Sequence, residues 1–291
     1  MKRLLCVLVC LPLASSTYAA AVNSNGTGGG EWSVPGTWAE GVVPGDGDSV
    51  TIGATDTVLF DADQSGWAAG LAGLTVNGLL TCSEVPGTYY LKMKGNIVVG
   101  AAGEIKAGTS RAVPYPQTST MTFYFNGAYG FSNFNKTGKL NLFCTEPTYT
   151  YVKLSGAEAI GQTELSVDTN VIGDIWAAGD PVYICDVDAG NDSELRTIDT
   201  GGIAASTITV TPGLTNAKVT GAYVVLCRRN IRILGSTGTS TSIINGLASC
   251  IVDAEVNGAG CGLNSGTSCL SGGCWYGLYR GHASGAGHSI S

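Results

Sequence analysis

Leu91-Lys92-Met93-Lys94-Gly95-Asn96-Ile97-Val98-Val99 decides how this chain is read. Apolar and polar residues alternate from Leu91 to Lys94, Gly95-Asn96 interrupts, and a second short apolar run follows at once. Period-two alternation belongs to a strand with one buried face, and a Gly-Asn pair belongs to a turn. The same grammar returns at Leu74-Thr75-Val76-Asn77, Met121-Thr122-Phe123-Tyr124-Phe125, Leu140-Asn141-Leu142 and Tyr151-Val152-Lys153-Leu154. No stretch carries a helical period. With Val76, Ile97, Phe123 and Leu142 as landmarks, strands recur at roughly 20–25 residues, the length of one solenoid coil. Glycine, 43 of 291 residues, supplies the positive-φ turns that each coil needs. The expected fold is all-β: a right-handed parallel β-helix with an inserted, small β-barrel-like subdomain. A β-sandwich has similar strand spacing and is the competing architecture.

Residues 156–227 change character. Trp176-Ala177-Ala178-Gly179-Asp180-Pro181-Val182-Tyr183-Ile184 reads as a turn feeding a strand, and further strands follow at 193–198, 206–211 and 221–226. Short connections among them favour a small closed sheet. After Arg228 the coil pattern resumes with Asn230-Ile231-Arg232-Ile233-Leu234. The chain therefore divides into a leader (1–21), an N-terminal cap with the first coils (22–155), the inserted sheet (156–227) and continuing coils (228–291). Nothing after Cys250 reads as the cap that a solenoid's last coil requires. Further coils beyond Ser291, or a covering subunit, are expected. One internal echo stands out: Leu80-Thr81-Cys82-Ser83-Glu84 is similar to Leu142-Phe143-Cys144-Thr145-Glu146.

The first residues read as an export signal: Lys2 and Arg3, an apolar run from Leu4 to Ala14, then small residues to Ala21. Ala19 and Ala21 fit the A-x-A cleavage pattern, and Thr17 with Ala19 fits it less well. The apolar run is too short to span a bilayer, so the product is expected to be secreted or displayed at the cell surface, with no membrane insertion. Leader removal takes away two positive charges and moves the formal charge from −7 to −9. An acidic chain whose only basic knot is Arg228, Arg229 and Arg232 is not a nucleic-acid binder. Eight cysteines lie outside the leader, an even number in an oxidising compartment. Cys185 and Cys227 each end an apolar strand of similar design, and a disulfide between them is the expected pair if those strands are neighbours. The two histidines, His282 and His288, stand at the extreme end, which argues against a zinc site.

Two stretches resemble a known family. Trp32-Ser33-Val34-Pro35-Gly36-Thr37-Trp38, followed by Gly41-Val42-Val43-Pro44-Gly45-Asp46-Gly47-Asp48-Ser49-Val50-Thr51-Ile52, is similar to the opening of the G-eight domain, named for its eight glycines. Gly179-Asp180-Pro181-Val182-Tyr183-Ile184 and Arg229-Asn230-Ile231-Arg232-Ile233 resemble the segment that follows this domain in fibrocystin-like proteins and in the cell-migration-inducing hyaluronan-binding protein. The resemblance implies an extracellular β-helical protein, and the hyaluronan link of one relative implies polysaccharide chemistry as a second option. Relatives often carry a histidine where this chain has Lys218. The residues of the opening motif, Trp32, Pro35, Trp38, Gly41, Pro44, Gly47 and Asp48, read as structural: the tryptophans cover an open end of the fold, and Asp48 caps turn N–H groups.

Candidate chemistry is sparse. Asp186, Asp188, Asp192 and Glu194 place oxygen ligands in one loop, the donor type calcium takes, although the glycine position differs from an EF-hand and the flanks read as strands. A solvated loop explains the same residues. No other cofactor is expected. Glycan hydrolysis needs two carboxyl groups about 5–10 Å apart; Asp168, Asp174, Asp180 and Glu194 are available, and nothing singles out a pair. Trp275, Tyr276 and Tyr279 are candidates for a sugar platform or for core filling. The leading expectation is a recognition module that binds glycans or an extracellular protein surface, an adhesin-like role. The alternatives are a polysaccharide-degrading enzyme, of hydrolase or lyase type, and a rigid spacer or fibre element.

Overall fold

The structure is a computed structural model. It describes residues 19–235, except 111, 128, 133–137, 146 and 186–192, together with the strand segments Ile244–Asn245, Ser249–Asp253, Glu255–Asn257 and Leu263–Asn264. The leader through Tyr18 and the C-terminal aromatic and histidine candidates lie outside the described residues.

The all-β expectation holds: the described residues contain strands and a single 3-10 turn, Pro35–Thr37. Three of the four sheets are parallel throughout. The chain visits them in rotation. Gly73–Val76 lies in the first sheet, Leu79–Cys82 in the second and Gly87–Met93 in the third. Ile97–Val99, Glu104–Ala107 and Ser119–Phe125 repeat the same order, each beside its predecessor. Register aligns the inward residues into columns: Val22, Val50, Leu74, Ile97 and Phe131 in the first sheet. Val58, Leu80, Ile105 and Leu140 line up in the second. Leu91, Phe123 and Ile233 do so in the third. All belong to one buried cluster, so the three sheets enclose a common core. Close stacking leaves some turns no room for a side chain. A Cβ on Gly95 would sit 1.8 Å from the Ala72 carbonyl oxygen.

The segment from Trp32 to Glu40 closes the first strands. Trp32 is fully buried, with its ring edge-on to Trp38 at 4.9 Å and to Phe60 at 5.1 Å. Trp38 Nε1 donates to the Trp32 carbonyl at 2.9 Å, and Pro35 opens the 3-10 turn between them. This loop runs back along Ala21–Asn23: Ala39 N–H donates to the Asn23 carbonyl, and Asn25 N–H to that of Thr37. Gly41 and Gly47 have φ of 69° and 91°, where a side chain would be strained, and Pro44 is buried. Asp48 accepts from Gly45 N–H at 2.7 Å and from Ala20 N–H at 2.8 Å.

The fourth sheet is antiparallel, in the order Tyr151–Lys153, Tyr223–Leu226, Pro181–Cys185, Glu194–Ala204, Thr207–Thr211, Glu164–Ser166. A bridge between Leu154 and Val167 joins its two outer strands, so the sheet closes on itself around a second core that includes Trp176, Ile184, Ile208 and Val224. Tyr151–Lys153, which alternates like the parallel strands, belongs instead to this antiparallel sheet. The chain leaves it through Arg228, whose guanidinium meets the buried Asp180 carboxylate at 2.6 Å. It rejoins the parallel sheets at Asn230, whose Nδ2 donates to the carbonyls of Tyr115 and Pro116 at 2.9 Å each. Asn230 Oδ1 accepts from Thr145 N–H at 3.0 Å.

The expected Cys185–Cys227 disulfide is corrected by register. The two strands are neighbours, as the expectation required, but antiparallel: Cys185 faces Tyr223, and Cys227 N–H donates to the Pro181 carbonyl at the far end. Four residues of strand, about 13 Å, separate the two positions, and a disulfide needs Cα atoms within about 7 Å. Similar strand ends meet only when strands run parallel.

Candidate functional site

Sheet geometry sends alternate side chains outward, and on the third sheet the outward residues build a patch. Its strands are Gly87–Met93, Ser119–Phe125 and Ile231–Gly235, adjacent in that order. Inward go Tyr89, Leu91, Met93, Met121, Phe123, Phe125, Ile231 and Ile233, all in the core. Outward, Tyr90, Thr122 and Arg232 lie in one register row, and Lys92, Tyr124 and Leu234 in the next. The Tyr90 and Tyr124 rings sit 5.8 Å apart at 34°, a diagonal cross-strand pair. Lys92 Nζ lies 5.9 Å from the Tyr124 ring centroid and donates to the Trp67 carbonyl. The ammonium is thereby held over the aromatic face.

The outer edge of this sheet is covered. Tyr90 N–H donates to the Ala62 carbonyl, Gln64 N–H to that of Tyr90, and Leu71 N–H to that of Lys92. Gln64 is 1 % exposed; its Oε1 accepts from Lys92 N–H at 3.1 Å, and its Nε2 has no partner among the described residues. Covering that edge removes a template for strand pairing and fixes the Tyr90–Lys92 segment. Burial pushes the Tyr90 phenol up to about 12, with Tyr124 and Asp63 adding to the rise and Arg232 opposing it. Tyr90 is therefore a neutral donor at physiological pH. Thr122 itself is buried, and around it two aromatic rings and two cations on a rigid sheet offer stacking faces and hydrogen bonds of the kind that hold a sugar ring.

A separate cleft of about 510 Å³ opens over the second sheet, lined by Leu59, Thr81, Ser83, Glu84, Lys106 and Thr109 among others. It carries no aromatic ring.

The acidic residues picked out in the sequence are engaged elsewhere. Asp168 accepts from Lys153 N–H at 3.0 Å, and Asp174 from Thr148 and Tyr149 N–H at 3.0 and 2.8 Å. Asp180 accepts from Ala177 N–H at 2.8 Å as well as pairing with Arg228. Glu194 pairs with Arg196 and with Lys218 at 3.1 Å, and accepts from Thr215 N–H at 2.8 Å. Burial pushes its carboxyl up, but the Thr215 and Asn216 amides and Lys218 outweigh that and leave it below the usual range. Of the calcium candidates Glu194 thus sits in an ion network, and Asp186, Asp188 and Asp192 lie outside the described residues. Among the described residues no cluster of three or more His, Cys, Asp or Glu can hold a metal. Lys218 is buried in this ion network.

The tyrosine patch is not legible in the sequence, although the alternation of its strands is. Tyr90 and Tyr124 stand 34 residues apart, and only the lateral register brings them together. No helix among the described residues is long and apolar enough to cross a membrane. Comparison with family models matches residues 37–155 to one described as G8 domain. No curated protein matches the chain.

Proposed function

The chain carries a G8 domain over residues 37–155, a domain found in extracellular proteins, and from that premise we propose that it is an exported recognition module that binds glycans on the Tyr90–Tyr124 face. The observation that carries this reading is the pair of register rows, Tyr90-Thr122-Arg232 and Lys92-Tyr124-Leu234, which set two aromatic rings beside two cations. The winding that goes with it is a right-handed parallel β-helix, supported by the fixed rotation among three parallel sheets around one core. A rigid helix side suits recognition of an extended chain, because its rows repeat at strand spacing.

The test is a glycan array followed by calorimetry on its best ligand, with a reducing-end release assay on the same polysaccharides. Tyr90→Ala and Tyr124→Ala should each weaken binding about 5- to 10-fold, the loss expected for one aromatic contact. Tyr223→Ala serves as control: Tyr223 is half-buried and belongs to a second tyrosine pair, with Tyr151 at 5.2 Å, on the antiparallel sheet. Equal affinity for wild type and both patch variants overturns the site. Release of reducing ends replaces recognition with catalysis, and an array without binding leaves a spacer.

A further inference from the structure

Two peptide bonds at the end of the leader meet the small-residue requirement for cleavage, one after Ala21 and one after Ala19. Sequence pattern favours the first, because Ala19 is a better residue than Thr17 three places from the end. The fold favours the second. Ala20 N lies 2.8 Å from Asp48 Oδ1, and the Ala20 carbonyl accepts from Ser49 N–H at 2.8 Å. Ala21 opens the first strand opposite Ser49, and Val22, 1 % exposed, heads the core column. Asp48 is itself fixed, its other oxygen capping Gly45 N–H at 2.7 Å. Cleavage after Ala21 deletes both Ala20 contacts and the Ala21–Ser49 pair. It also puts the new ammonium on a residue whose side chain belongs in the core. Cleavage after Ala19 keeps the whole ladder and turns an amide donor into a charged one, aimed at a carboxylate.

We propose that the leader is cut between Ala19 and Ala20, and that the new α-ammonium of Ala20 is seated on Asp48. The step is a peptide hydrolysis by a leader peptidase. Water gives its hydroxyl to the Ala19 carbonyl carbon, the C–N bond breaks, and the Ala20 nitrogen leaves as an amine that is protonated at neutral pH. A hydrogen bond from a charged donor to a carboxylate is stronger than one from a neutral amide. Asp48 thus closes the first strand at the point where processing creates a charge. The proposal rests on the export reading, not on the glycan reading.

The experiment secretes the full chain and determines the product's first residue by N-terminal sequencing and intact mass. Acetylation of the α-amine by acetic anhydride at neutral pH is then timed in wild type and in Asp48→Asn. A start at Ala20, with wild type reacting at least about twofold more slowly than Asp48→Asn, is expected, because a neighbouring carboxylate favours the protonated amine. A start at Val22 overturns the cleavage site, and equal rates overturn the seat. A product retaining Met1 inside the cell overturns export itself and so separates the two failures.

Discussion

Asn230 is where the chain returns from the antiparallel sheet, and replacing it by alanine tests how the two parts are joined. The side chain makes three hydrogen bonds at 9 % exposure: two from Nδ2 to the Tyr115 and Pro116 carbonyls, and one from Thr145 N–H to Oδ1. The Tyr115 carbonyl keeps a partner in Asn230→Ala, because Thr145 Oγ1 donates to it at 2.7 Å. The Pro116 carbonyl also keeps a partner, Ser119 N–H at 3.0 Å, so Thr145 N–H alone loses the contact that Asn230 gave it with no other among the described residues to replace it. A net hydrogen bond contributes roughly 0.5–1.5 kcal/mol, and a buried group left unpaired costs about 1–3. Discounting for Thr145, which is only partly buried, the loss should be about 2–4 kcal/mol. In urea, with an m-value near 3 kcal/mol/M for a chain of this size, that lowers the unfolding midpoint by about 1 M. Asn230→Asp should be at least as damaging, since it keeps the acceptor for Thr145 but turns a carboxylate toward two carbonyl oxygens. An Asn230→Ala protein within about 0.5 kcal/mol of wild type would refute the reasoning that these three hydrogen bonds hold the returning chain to the parallel sheets.

Acid should unfold this protein through carboxylates held in hydrogen bonds. Asp56 and Glu194 both sit below their ordinary values: burial raises each, but Ser24 and the Gly26 and Gly28 amides outweigh it at Asp56, as Thr215, Asn216 and Lys218 do at Glu194. A depressed folded value means that the unfolded chain binds protons first. The contribution is therefore complete above about pH 4.3 and is lost as pH falls through the folded values. Urea midpoints should stay level from pH 7 to 5 and drop below pH 4, with a shallower acid slope in Glu194→Gln; a flat profile to pH 3 would contradict this. Cys82 is a buried free thiol whose ionisation burial pushes up, with Glu84 adding to the effect. It should resist iodoacetamide in the native protein and alkylate on unfolding, read by peptide mass spectrometry; ready native alkylation would count against its burial.

The alternation in Leu91–Met93 and Met121–Phe125 fixed which residues go inward, because side-chain direction along a strand is a local property of two neighbouring residues. Tyr89, Leu91, Phe123 and Phe125 are buried where their parity puts them. The opening motif was equally legible, since Trp32, Trp38 and Asp48 act on residues close in sequence or one strand away. Lateral register was not legible. Leu80 aligns with Leu140 through Ile105, two residues from where the Cys82–Cys144 echo would place it. The landmarks Val76, Phe123 and Leu142 belong to three different sheets. Tyr151–Lys153 carries the same alternation as a parallel strand and pairs antiparallel, because alternation reports burial and says nothing of a neighbour's direction. The same blindness produced the Cys185–Cys227 expectation and hid the Tyr90–Tyr124 patch. Sequence alone determined the strands, their inner faces and the closing motif, since those depend on contacts within a few residues. Only the tertiary structure decided which strands lie side by side and in which direction, because that choice is made by packing between residues tens of positions apart.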